Sequence, residues 1–323
     1  MSSRNKIIVI LAVLLIASGC REKKAEQFQA LPFPAVQLPV MISGQQETLE
    51  YLALNYWNGI TDLSRNYPSD SVLVSGVRKA DLEQEYANWL QILDHAGYGV
   101  WEKSMTGLYD RASACEQKDT SSNIFETFVA LTQKYLYDPN SPMRDEEKYL
   151  HFVRKYAGYK DLSDAEKGKY EREARLCALN RIGAEAADFR FTDRYGRTRN
   201  LHDIDSELTL LFFSNPGCEA CMNIINMLNQ DPDISSLISE GRLSVLNIYI
   251  DEDLEAWRSY MPIYPENWYN GFDPDLVIRN ESLYNVRAIP SLYLLDRNKA
   301  VLMKDVPEMK LMEVLRGFGL PLS

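Results

Sequence analysis

The chain has 323 residues, 46% of them hydrophobic and 25% charged, which is enough apolar material for two domains. Its formal net charge of −11 and pI near 4.9 argue against a nucleic-acid partner, because phosphate contacts need a concentrated basic face and the sequence has no basic patch.

Residues 1–19 read as a targeting segment. Arg4 and Lys6 form a short positive region, Ile7 to Ile16 is one apolar run, and Ala17-Ser18-Gly19 places small residues directly before Cys20. The run is short for a permanent membrane span, which favours a cleaved signal. A cysteine at that place resembles the lipobox of bacterial lipoproteins, in which the thiol is acylated and becomes the new N-terminus. Ala17 stands where leucine is commoner in that motif, and an ordinary signal peptide with an incidental cysteine is the alternative. Lipidation at Cys20 implies a membrane anchor, each buried methylene adding about 0.8 kcal/mol, and a place in the cell envelope facing the periplasm or the exterior. Residues 20–44 continue with Arg21-Glu-Lys-Lys24 and then Pro32, Pro34 and Pro39, a composition that favours extended backbone and predicts a tether.

From 45 to 180 the apolar residues recur at helical intervals, as in Leu82, Tyr86, Trp89, Leu90 and Leu93, or Tyr149, Phe152, Val153 and Tyr156. Asn123 with Glu126, and Ser163 with Glu166, have capping-box spacing. The spacing predicts an all-α domain of five to seven helices with no strand. His95 and His151 have no ligand-spaced neighbours, so their expected role is structural, and no metal or cofactor is expected. Tyr137-Asp-Pro-Asn-Ser-Pro-Met-Arg144, together with Tyr51 to Trp57, resembles a helical domain of unknown function found ahead of thioredoxin domains in bacterial lipoproteins.

The texture changes at 181–323 to short apolar runs. Phe191 to Asp193 and Thr198 to Leu201 flank a turn, Leu208 to Phe213 and Leu243 to Ile250 read as buried strands, and Ser291 to Asp296 with Ala300 to Met303 reads as a hairpin. Helices are expected over 221–229, 234–240 and 310–318. Strand, helix, strand, hairpin and final helix make a small α/β domain.

Cys218-Glu-Ala-Cys221 follows the strand ending at Phe213, and a helix is predicted to begin at the pair. At a helix start the first sulfur sits among unpaired backbone N–H groups at the positive end of the dipole, which favours the thiolate. Cys218 is therefore the expected nucleophile and Cys221 the resolving thiol. Half a zinc site or an inert disulfide are the alternatives, and zinc would need a second pair that the chain lacks. Ala288-Ile289-Pro290-Ser291 precedes a strand well downstream, in the order that places a cis-proline opposite a CxxC in thioredoxin-like folds; a plain strand-entry proline is the other reading.

These residues carry a resemblance. Gly183 to Phe189, Asp193 to Gly196, the cysteine pair, Tyr284-Asn-Val-Arg-Ala-Ile-Pro290 and Leu294-Leu-Asp296 together make residues 182–323 similar to the TlpA/ResA-like branch of the thioredoxin superfamily. The resemblance implies an α/β thioredoxin-like fold behind the all-α domain, and a membrane-tethered thiol–disulfide oxidoreductase, often a reductant. It also implies catalytic roles for Cys218, Cys221 and Pro290, and substrate contact at Ile289 and Gly217. The implied partners are envelope protein thiols and disulfides with an upstream electron donor. Gly217 replaces the tryptophan common before the first cysteine, and Phe212 and Ile224 stand where related proteins carry a buried acid. Those departures favour the competing reading, a binding or assembly lipoprotein that uses the fold as a scaffold. A peroxiredoxin would want Thr or Ser where Asn215 stands. Cys115 and Cys177 are left either to pair with each other or to remain buried free thiols.

Overall fold

A computed structural model describes residues 29–65, 72–159 and 162–319; Cys20 and the segment read as a signal lie outside them. Among the described residues the first half is a stack of six α-helices: α1 (Gln45–Asn55), α2 (Lys79–Ala96), α3 (Tyr98–Lys118), α4 (Ile124–Thr132), α5 (Glu146–Ala157) and α6 (Asp164–Cys177). Their buried stripes meet in an aromatic core, with the Trp57 ring centred 4.8 Å from Phe128 and 5.6 Å from Trp89. Burying each such side chain contributes on the order of 1.5–3 kcal/mol.

The helical half differs from its expected form in two places. Leu73–Val74 (β1) and Val77–Arg78 (β2) form a minimal antiparallel hairpin, too short to register as periodicity. Asn123 makes no side-chain cap on α4; its amide donates to the Leu73 carbonyl at 3.0 Å and ties the helix start to β1. Ser163 and Glu166 do form a reciprocal capping box. Part of the stretch read as a tether packs on the body, since Leu31 N–H donates to the Gly76 carbonyl at 2.8 Å and the Phe33 ring lies 5.5 Å from Trp57.

The second half is built on one seven-stranded sheet of order β4-β3-β7-β6-β5-β8-β9. Its strands are β3 (Arg190–Asp193), β4 (Thr198–Asn200), β5 (Leu208–Phe213), β6 (Leu243–Tyr249), β7 (Tyr269–Phe272), β8 (Ser291–Asp296) and β9 (Val301–Lys304). β5 is parallel to β6 and antiparallel to β8, and every residue of β5 is buried, as a strand covered on both faces must be. One face packs with α7 (Glu219–Gln230), α8 (Pro232–Ser239), α9 (Leu254–Tyr260) and α11 (Glu308–Gly319) around Phe212, Leu228, Trp257 and Leu315; the other packs Phe191, Phe213, Tyr284 and Tyr293. A short α10 (Val277–Asn280) precedes the loop that leads into β8.

Strand β7 is the element the sequence hides. Tyr269-Asn-Gly-Phe272 has no alternation, yet it pairs with β6 and β3. Gly271 is required there because a Cβ would meet the Phe191 ring at 2.6 Å.

Candidate active site

Phe213, the last residue of β5, lies opposite Ser291, the first residue of β8. The loop leaving β5 and the loop entering β8 therefore emerge at one edge of the sheet, one carrying the cysteines and the other Pro290. The sequence between Phe213 and the pair is held from beneath. Ser214 hydroxyl donates to the Asn247 side-chain oxygen, the Asn247 amide to Asn270 at 3.0 Å, and the Asn270 amide to the Pro265 carbonyl at 2.7 Å. Buried polar groups that satisfy one another in series cost little and fix geometry. Asn215 donates to Asp251 at 2.9 Å, which also holds Arg279 at 2.9 Å. None of these asparagines carries a sequence signal beyond an interrupted apolar run in β6.

Cys218 and Cys221 are joined in a disulfide with Cα atoms 5.2 Å apart. Cys218 is the N-cap of α7, and its sulfur accepts the Cys221 N–H at 3.1 Å, so an orphan donor of the first turn points at it. Cys218 is half-buried, whereas Cys221 is 1% exposed in the apolar cluster that holds Phe212 and Ile224. Gly217 is exposed with φ +75°, which explains the missing tryptophan locally: a side chain at that backbone angle is strained. Glu219 is exposed in the first turn of α7. The Ile289–Pro290 peptide is cis, and Ile289 is partly buried against the clusters on both faces of the sheet.

The expected bridge between Cys115 and Cys177 is absent; both thiols are free. Cys115, on α3, lies 3.5 Å from the Thr61 carbonyl. Cys177 ends α6 fully buried where the halves meet, 4.0 Å from the Asn285 amide. Parity and compartment gave no information about where the two helices carry them.

A buried group of charges behind the cis-proline loop was invisible in the sequence. Glu146, 2% exposed at the start of α5, binds Arg287 at 2.9 Å and Lys304 at 2.9 Å, and accepts from Asn285 at 2.6 Å. Arg287 also pairs with Asp305, which accepts from Ser291 at 2.8 Å. Lys304 donates to the Cys177 carbonyl at 2.7 Å. Burial pushes the Glu146 carboxyl above its usual range, while Lys304 and Arg287 pull it back. Arg287 is three residues before Pro290, so the helical half is fastened to the root of that loop. Glu146 stands in an Asp-Glu-Glu run that suits any helix N-terminus, and only the tertiary contact distinguishes it.

Residues 17–180 match the family described as a domain of unknown function, DUF5106. A crystal structure of a thioredoxin-like protein from Bacteroides caccae is 34% identical and superposes with a TM-score of 0.78, covering 88% of this chain and 97% of that one. The chain is a thioredoxin-like protein of the DUF5106 family. This thioredoxin-like protein is also similar to two single domains. The C-terminal domain of an uncharacterized protein from Bacteroides fragilis is 43% identical, with a TM-score of 0.41 over 42% of this chain and 97% of that one. The thioredoxin domain of a thiol–disulfide oxidoreductase from Bacteroides vulgatus is 17% identical, with a TM-score of 0.39 over 43% of this chain and 99% of that one. No curated protein matches the chain.

Proposed function

We propose that this DUF5106 protein is a thiol–disulfide oxidoreductase of the cell envelope, anchored through a lipid on Cys20, that reduces disulfides of other envelope proteins. The observation that carries the reading is the asymmetry of the pair, with Cys218 half-exposed at the cap of α7 and Cys221 buried one turn inside. In the reduced protein the Cys218 thiolate attacks one sulfur of a substrate disulfide, and the other sulfur leaves and takes up a proton. The Cys221 thiol loses its proton and attacks the Cys218 sulfur, releasing the second substrate thiol and closing the internal disulfide. Two electrons pass to the substrate, and an upstream donor must return them.

Phe212 and Ile224 pack around Cys221, so its proton leaves to water or to Glu219 rather than to a buried acid. Glu219 also bears on direction. A carboxylate beside Cys218 opposes the helix dipole and disfavours the thiolate, which makes the disulfide harder to reduce and the dithiol a donor.

Insulin reduction is the deciding experiment: wild type should turn over and Cys218→Ser should not, while Cys221→Ser should accumulate mixed disulfides through Cys218. Equilibration with glutathione should give a potential nearer about −270 mV than about −120 mV. Turnover by Cys218→Ser at the wild-type rate would sink the assignment. An inert wild type would favour the binding-module reading.

A further inference from the structure

The segment Tyr137 to Lys148 has no part in the exchange chemistry, yet it is where the helical half reaches the redox edge. Gln133–Tyr137 is a π-helical turn, which sets the Tyr137 ring over the Arg287 guanidinium at 4.5 Å and stacks it on Tyr149 at 4.2 Å. Arg144 crosses to the other half and donates to the Asp305 and Val306 carbonyls at 3.0 and 2.7 Å. Between these two anchors lie Asn140 and Pro142, both exposed.

Asn140 and Pro142 line a cleft of about 1330 Å³ whose other sides include Ala220 and Met227 of α7, Ile289 and Pro290. Ala220 stands between the two cysteines in sequence and Ile289 precedes the cis peptide, so the cleft is lined by the segments that carry the pair and the proline, with neither cysteine itself in its wall. It is larger than the roughly 300–1,000 Å³ usual for a small-molecule pocket. Several charges around it are matched within the protein, Lys148 lying between Asp94 and Asp145 and Arg316 on Asp231. Met309, 60% exposed, adds apolar surface at its rim.

We propose that the helical half is the specificity element of the enzyme, and that Asn140 and Pro142 form the second wall of a cleft for an extended polypeptide on either side of the reacting cysteine. The proposal rests on the exchange activity proposed above. A wall held at Arg287, Asp305 and Val306 keeps a fixed distance from the cis-proline loop. The cleft can therefore grip a strand of polypeptide that a single amino-acid thiol is too short to fill. A ten-residue strand extends to about 33 Å, ample to run past both walls.

The test uses the reduced full-length protein and two chromogenic disulfides. One is an uncharged peptide of roughly ten residues with a central cysteine joined to thionitrobenzoate, long enough to reach both walls. The other is free cysteine joined to the same group. Each probe takes two electrons from the Cys218–Cys221 dithiol and yields two thiols, one of them coloured. Asn140→Trp and Pro142→Trp change exposed positions, which fold normally as a rule. They should slow the peptide probe about tenfold and leave the cysteine probe within about twofold, a loss of binding without loss of chemistry. Wild-type rates on the peptide would overturn the proposal, as would equal slowing of both probes, which would place the effect in the redox pair. A wild-type protein that reduced neither probe would remove the exchange activity itself and the cleft's role with it.

Discussion

Cys177 shows what a single residue's surroundings decide. Burial, and then the charge of Glu146, push its thiol far above the ordinary range, so thiolate is scarce and the sulfur inert. Cys115 is raised too, by burial, but remains partly accessible. With the Cys218–Cys221 disulfide left oxidised, a maleimide at pH 8 should label Cys115 slowly and Cys177 only after denaturation. Rapid native labelling of Cys177, or failure of both thiols to label in denaturant, would contradict the free, buried state. At this scale the sequence was informative where chemistry fixes spacing. Cys218, Cys221 and Pro290 could be named because a strand, a turn and a helix start surround the pair. Glu146 and Arg287 could not, because a charge within an ordinary helix start or loop is unremarkable until the chain folds against it.

Among the elements, the β3–β4 hairpin depends on one carboxylate. Asp193 accepts the Tyr195 and Arg197 amides at 2.9 Å each, and the Arg197 guanidinium at 2.9 Å. Burial alone would raise its pKa; those hydrogen bonds outweigh burial and leave it below the usual value. A depressed carboxylate adds stability above its unfolded pKa of about 3.9, and that stability disappears as pH falls through the folded value. Asp193→Ala should cost about 1–3 kcal/mol at pH 7 in urea unfolding, and the gap from wild type should narrow toward pH 3. A gap that widened in acid would refute this account. The hairpin was legible because its turn residues lie between apolar positions. Its neighbour β7 was not, because Asn270 and Gly271 were chosen for contacts with Asn247 and Phe191, across the sheet rather than along the strand. Asn123 misled for the same reason: its amide serves β1 instead of the helix it precedes.

At the scale of the molecule, the two halves are recognisable from the change in periodicity near 181, but nothing along the chain foretells how they join. The apolar clusters stay separate, one in the helical half and one on each face of the sheet. What crosses between them is largely polar: Glu146 with Arg287 and Lys304, and Arg144 on the loop carbonyls. Such a join adds little net stability against a matched apolar surface, yet breaking one side strands the rest, at about 3–5 kcal/mol. Its consequence is cooperativity. While the charges are complete, neither half can open without leaving Lys304 or Glu146 unpaired, so the chain should unfold in urea as one unit. In hydrogen exchange, α5 and β8 should then open with the same free energy. Glu146→Ala should lower that free energy and split the transition, leaving the helical stack and the sheet to melt at different urea concentrations. A single undivided transition in the variant would mean that the halves are coupled through some other surface.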